Sequence, residues 1–175
     1  MQEPSVLVLG VGNILYSDEG LGVRALSILN EQYAFPANVR LEDGGVMGMR
    51  LMGMLMDCDR LLVMDAVLGG GRPGDIYRLT GDDLRKSIAF KDSMHQTDLV
   101  DTLIYCELAG KRPEAVIIGM EPMVWQTAKT ELSSVIAARL PLFCERVAQE
   151  IAGLAKPFTA PPECAREFPP CPERP

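Results

Sequence analysis

The chain has 175 residues, 47 % hydrophobic and 23 % charged, and its 17 basic and 24 acidic residues give a formal net charge of −7. That length suits one domain, which on folding buries roughly 70 % of the surface its unfolded chain exposes and needs no staples. The acidic balance argues against nucleic acid, whose phosphates call for a basic patch, and against an anionic membrane surface.

No stretch reaches the ~18 apolar residues of a spanning helix, so no membrane anchor is expected. Residues 1–4 carry no positive charge ahead of an apolar run, which speaks against a secretory leader. Five cysteines (Cys58, Cys106, Cys144, Cys164, Cys171) are an odd number without Cys-x-x-Cys spacing. They read as reduced cytoplasmic thiols engaged in packing, not as a disulfide framework or a zinc site.

In chain order, residues 5–10 (SVLVLG) predict a strand closed by glycine. Residues 17–33 follow with helical spacing of Leu21, Ala25, Ile28 and Leu29. A second strand is predicted over 39–43 and a short helix over 47–56. Residues 60–67 (RLLVMDAV) predict a fully buried strand and 74–79 a less buried one. A helix over 97–109, a strand over 115–120 and a long helix over 130–152 complete the pattern. Short apolar strands spaced by crossover-length helices predict a single three-layer α/β/α sandwich, its mostly parallel sheet having about five strands. The domain is expected over residues 1–155. Residues 156–175 hold seven of the 13 prolines and little apolar periodicity, which predicts an extended tail. Cys164 and Cys171, with six residues between them, offer poor support for a metal clip.

Chemistry concentrates where strands give way to helices. Gly10-Val11-Gly12 suits a dinucleotide turn, yet Leu15 stands where the third glycine should be, and Asp18 and Glu19 place two carboxylates where phosphates would sit. A tight structural turn is the simpler reading. Ser17 could cap the following helix, with Asp18 and Glu19 complementing its dipole. Asp65 ends an otherwise apolar strand, where an unpaired carboxylate is expensive, on the sheet edge where open α/β folds place their sites. His95, the only histidine, lies in a polar connection leading into the helix predicted at 97–109.

Taken together, Glu19, Asp65 and His95 fall beyond different strands on one predicted edge. Two carboxylates and an imidazole suit a borderline divalent metal with open positions for water or substrate. Asp43-Gly44-Gly45 ends the second strand on that same edge, either as a pocket residue or as a plain turn. The methionine-rich run 46–56 reads as core packing or as an adaptable contact surface. His-Glu-x-x-His, Gly-x-Ser-x-Gly and P-loop motifs are absent from the sequence.

The residues Val6 to Leu15, Asp18-Glu19-Gly20-Leu21-Gly22-Val23-Arg24, Asp43-Gly44-Gly45, Leu62-Val63-Met64-Asp65-Ala66, His95-Gln96 and Val116 to Pro122 together resemble the hydrogenase maturation endopeptidases. The resemblance runs from about Val6 to Ile151 and leaves out the proline-rich tail. It implies a parallel sheet flanked by helices and an endopeptidase acting on the [NiFe]-hydrogenase large-subunit precursor, whose C-terminal extension is removed once nickel is in place. It further implies that Glu19, Asp65 and His95 bind metal and carry catalysis, and that Asp43 takes part in substrate recognition. The metal implied is the substrate's own nickel, for which other divalent ions could substitute in the isolated protein. Val46 departs from the pattern, since many relatives place threonine there. Historically such enzymes are grouped with aspartic-type peptidases. A monomer acting in the cytoplasm is expected. The rival readings are a nucleotide-binding α/β regulator using the Gly10–Gly12 turn and a self-sufficient metallohydrolase acting on small amides.

Overall fold

The computed structural model describes residues 3–46, 48–81 and 94–156, with only the backbone described for 94–98. The elements run β1 (Val6–Val11), a 3-10 turn (Ser17–Gly20), α1 (Leu21–Gln32), β2 (Val39–Gly45), a second 3-10 turn (Gly48–Leu51) and α2 (Met52–Met56). They continue with β3 (Arg60–Ala66), β4 (Ile76–Thr80), α3 (Met94–Leu108), β5 (Glu114–Met120) and α4 (Ser134–Leu154).

Five strands form one sheet in the order β2-β1-β3-β5-β4. Neighbours among β2, β1, β3 and β5 are parallel, whereas the edge strand β4 runs antiparallel to β5. The central strands are largely apolar because helices cover both faces. Every residue of β1 and β3 is buried. Their side chains alternate between two cores, as strand geometry requires. Val6, Val8, Leu62 and Met64 join Leu21, Ala25 and Leu29 of α1 and Phe143 and Val147 of α4. Leu7, Leu9, Leu61 and Val63 join Leu51, Leu55 and the α3 residues Leu99 and Leu103 on the other face. The expected α/β/α sandwich with a mostly parallel five-stranded sheet is therefore the observed architecture.

Several boundaries differ from the sequence reading. The helix predicted from residue 17 starts as a 3-10 turn and becomes α-helical only at Leu21. Ser17 is not its cap: it has φ +47°, is buried, and donates its hydroxyl to the Glu131 carbonyl at 2.9 Å. The last helix begins at Ser134 instead of residue 130, because residues 121–133 form an irregular connection. His95, read as part of a connection, lies in the first turn of α3. At the opposite end of the molecule, Arg60 donates to the carbonyls of Leu154 and Lys156, tying the close of α4 to the start of β3. The expected tail lies outside the described residues from position 157 onward. Among the described residues, no helix is long and apolar enough to cross a membrane.

Candidate functional site

The site is organised by how closely α1 approaches the carboxyl ends of β1 and β3. Gly22, in the first turn of α1, has no room for a side chain: a Cβ there would lie 2.1 Å from the Met64 carbonyl oxygen and 2.4 Å from that of Val11. Gly12, at φ +131°, leaves β1 in a conformation that side-chain-bearing residues rarely adopt. A Cβ there would lie 1.8 Å from the carbonyl oxygen of Glu19. The two glycines thus let the Ser17–Gly20 turn lie directly on the end of β1, in contact with β3. They also bear on the dinucleotide reading: the space that glycine leaves at position 12 is filled by the chain's own backbone, not left open as a phosphate cradle.

Glu19 is carried by this turn. It is half-buried, and desolvation pushes its carboxyl above the ordinary carboxylate range. Asp65 sits one residue before the end of β3, only 3 % exposed, in register with Gly119 of β5. One of its carboxylate oxygens accepts the Ala66 amide at 2.8 Å. Glu19 and Asp65 therefore share the carboxyl edge of the sheet, as expected from the order of elements.

Asp43 reaches the same edge on β2, in register with Gly10. Its side chain is exposed, and its Oδ1 accepts the Gly45 amide at 2.8 Å, closing a local turn. Gly45, at φ +46°, in turn accepts the Gly12 amide at 2.9 Å, so the ends of β1 and β2 are fastened together. The backbone of His95 lies in the opening turn of α3, four residues ahead of Leu99. Leu99 lines a small apolar pocket with Val11, Gly44, Gly45 and Leu51, which brings the start of α3 to that edge too. The His95 side chain lies outside the described residues. Among the described residues, no three His, Cys, Asp or Glu side chains form a metal-binding group. By donor chemistry, two carboxylates with an imidazole suit a borderline divalent ion.

Two further carboxylates, neither identified from the sequence as a site residue, hold the surrounding loops. Asp18 is completely buried. It accepts the amides of Met123 (3.0 Å), Val124 (2.8 Å) and Ser133 (2.7 Å), and the Ser133 hydroxyl at 2.8 Å. Glu121, 6 % exposed, accepts the Gly69 amide and the Tyr77 hydroxyl at 2.7 Å each, and the Gly71 amide at 3.3 Å. Burial, followed by the hydrogen bond to Glu121 and its charge, pushes the Tyr77 phenol well above its ordinary range. The only local signals for these roles are a second acid beside Glu19 and an acid straight after an apolar strand. The partners of Asp18 are more than a hundred residues away.

The family model for hydrogenase maturation protease matches residues 23–150, a span that includes Asp43, Asp65 and His95 and begins just after Glu19. Hydrogenase expression/formation protein HoxM of Azotobacter vinelandii is 41 % identical over 124 residues, 70 % of this chain and 60 % of that protein. The match thus spans less than two-thirds of that relative's length. Hydrogenase 2 maturation protease of Escherichia coli K12 is 34 % identical over 146 residues, 76 % of this chain and 89 % of that one. Among solved structures, the hydrogenase maturating endopeptidase HybD from E. coli superposes with a TM-score of 0.79 at 32 % identity, covering 85 % of this chain and 92 % of its own. The [NiFe] hydrogenase maturation protease HybD from Thermococcus kodakarensis gives 0.69 at 26 % identity, covering 86 % and 99 %. With the family model covering most of the folded region and the α/β architecture shared throughout, this chain belongs to the hydrogenase maturation protease family.

Proposed function

We propose that this chain is an endopeptidase that removes the C-terminal extension of the nickel-loaded [NiFe]-hydrogenase large-subunit precursor. Glu19, Asp65 and His95 contact the precursor's nickel, and Asp43 helps recognise the segment around it. The observation that carries this reading is the placement of Asp65. An almost fully buried acid ends an apolar central strand, beside the turn that carries half-buried Glu19. An acid at the carboxyl end of a central parallel strand lies on the edge where open α/β sheets place their sites.

Hydrolysis adds water to the scissile carbonyl, breaks the carbon–nitrogen bond and delivers a proton to the departing amine. Nickel held by the substrate is suited to polarising that carbonyl or activating the water. A carboxylate not engaged as a ligand can act as general base, and the desolvation that raises the Glu19 carboxyl makes it the stronger acceptor of a proton. The candidate donor set holds no thiolate, so its hold on free metal is modest, and the precursor's nickel becomes the switch for catalysis. The enzyme works as a monomer in the cytoplasm. The nucleotide-binding alternative lacks support, because the glycine turn is packed against Glu19.

The test is incubation of the purified chain with nickel-loaded and nickel-free precursor, followed by mass spectrometry. The extension should be lost from the loaded precursor alone, and His95→Ala should abolish processing while the protein stays folded. Efficient cleavage of metal-free precursor in the presence of a strong chelator would overturn the proposal.

A further inference from the structure

The two candidate ligand carboxylates sit on separate segments, the 3-10 turn after β1 and the end of β3. The end of β3 is held in its ladder, with Asp65 opposite Gly119 and Ala66 opposite Met120, but the turn and the chain beyond Ala66 need outside support. The turn contains Ser17 in the left-handed region, a conformation that persists only where the surroundings impose it. The chain after Asp65 runs into the glycine-rich stretch 69–71, which has little side-chain packing of its own.

Both segments are instead fastened to one piece of chain, the connection between β5 and α4. On the Glu19 side, the buried Asp18 carboxylate takes four donors from Met123, Val124 and Ser133, while its own amide donates to the Val124 carbonyl at 3.0 Å. The same turn is stitched further along: Ser17 donates to the Lys129 carbonyl at 2.6 Å, and Lys129 donates to the Leu15 carbonyl at 2.9 Å. On the Asp65 side, Val67 donates to the Met120 carbonyl at 3.0 Å, and the Glu121 carboxylate gathers Gly69, Gly71 and Tyr77. Glu121 is itself pinned through its backbone to Gly74 and Asp75, each at 2.8 Å. The two anchor points on the connection, Glu121 and Met123–Val124, are neighbours in sequence. One short piece of chain, continuous with the strand that pairs Asp65, therefore ties the Glu19 turn to the loop that follows Asp65.

We infer that Asp18 and Glu121 are positioning residues for the metal-contacting carboxylates: through the β5–α4 connection they fix the spacing of Glu19 and Asp65. This rests on the reading of Glu19 and Asp65 as metal-contacting groups. A buried carboxylate surrounded by backbone donors is a rigid fastening, because each lost bond leaves an amide without a partner. Groups that orient metal-contacting side chains contribute to affinity without touching the ion, and their loss typically weakens binding by about 10- to 100-fold.

The experiment is a double-mutant cycle read by calorimetric titration of the isolated full-length enzyme with Ni²⁺, well below the melting temperature of every variant. Asp18→Asn turns an amide group toward the backbone donors and should weaken Ni²⁺ binding by about tenfold or more. Glu121→Ala should do likewise, whereas Glu121→Gln, which keeps an acceptor oxygen for Tyr77 or Gly69, should restore binding to within about threefold of wild type. In a Glu19→Gln background, Asp18→Asn should have no further effect, because the group it positions is already altered. Should Asp18→Asn fail to fold, Ser133→Ala removes one of the four donors and should show a smaller loss, again absent in the Glu19→Gln background. A purely structural role would lower the melting temperature yet leave affinity unchanged or additive across the cycle, and that result would overturn the inference alone. Absence of any Ni²⁺ binding by the wild type, even at millimolar Ni²⁺ where a modest site fills, would overturn the metal-site reading, and this inference with it.

Discussion

Replacing Gly12 by alanine tests how the glycine turn supports the site. At φ +131°, alanine carries a backbone strain of about 1–3 kcal/mol. Its Cβ would also stand 1.8 Å from the Glu19 carbonyl oxygen, so the turn must retreat by more than an ångström to restore normal contact. Overpacking of that kind costs a further 1–3 kcal/mol or so, for a total of about 2–6 kcal/mol. In a domain of this size the melting temperature should fall by roughly 5–20 °C. The loss should be accompanied by weaker Ni²⁺ binding, because the segment displaced is the one that carries Glu19. Gly53 provides the control. It lies within α2, nothing stands within 4 Å of a Cβ built there, and Gly53→Ala should stabilise the protein by about 0.5–1 kcal/mol. Thermal unfolding followed by circular dichroism, alongside calorimetric titration with Ni²⁺, reads both variants. A Gly12→Ala protein that melts within about two degrees of wild type and binds Ni²⁺ equally well would refute the reasoning.

Asp43→Asn keeps the carbonyl oxygen that accepts the Gly45 amide, so the turn and the melting temperature should be preserved while kcat/KM for the precursor falls. An unchanged kcat/KM would remove Asp43 from substrate recognition. Burial pushes the thiols of Cys58 and Cys144 up to about 11, so in a Cys164→Ser, Cys171→Ser background neither should react with a disulfide reagent at neutral pH until the protein unfolds. Because these folded-state values are raised, the stability they contribute is complete below the ordinary thiol range and is lost as pH rises towards about 11, visible as a falling denaturant midpoint. Truncation after Lys156 should leave the melting temperature within a few degrees of the full chain, since the Lys156 carbonyl is the last described acceptor for Arg60. A large loss would place part of the tail on the core.

What could be read from the sequence depended on whether the cause was local. The strands β1, β3 and β5 stand out because burial on both faces demands unbroken apolar runs, and Asp65 stands out because it interrupts one. The antiparallel direction of β4 was not legible, since alternation shows that a strand forms but not which way it pairs. β2 continues past Asp43 because the register slips between Gly10 and Val11, skipping Gly44 and letting Gly45 pair with Val11 where the composition suggests a turn. Ser17 and Asp18 resemble an ordinary helix start. Their actual partners, Glu131 and the 123–133 connection, arrive only through the tertiary fold. The start of the last helix was misplaced for the same reason: the Ser133 amide and hydroxyl bind Asp18, and the helix begins at the next residue.

The most direct test of the account is nickel-edge X-ray absorption on the nickel-loaded precursor, alone and rapidly frozen in complex with the enzyme before the extension is released. If Glu19, Asp65 and His95 meet the substrate's metal, nickel should gain oxygen and nitrogen neighbours in the complex, and His95→Ala should lose the nitrogen contribution. A nickel spectrum identical in the free and bound precursor, in a sample whose complex is verified by co-elution, would contradict the account.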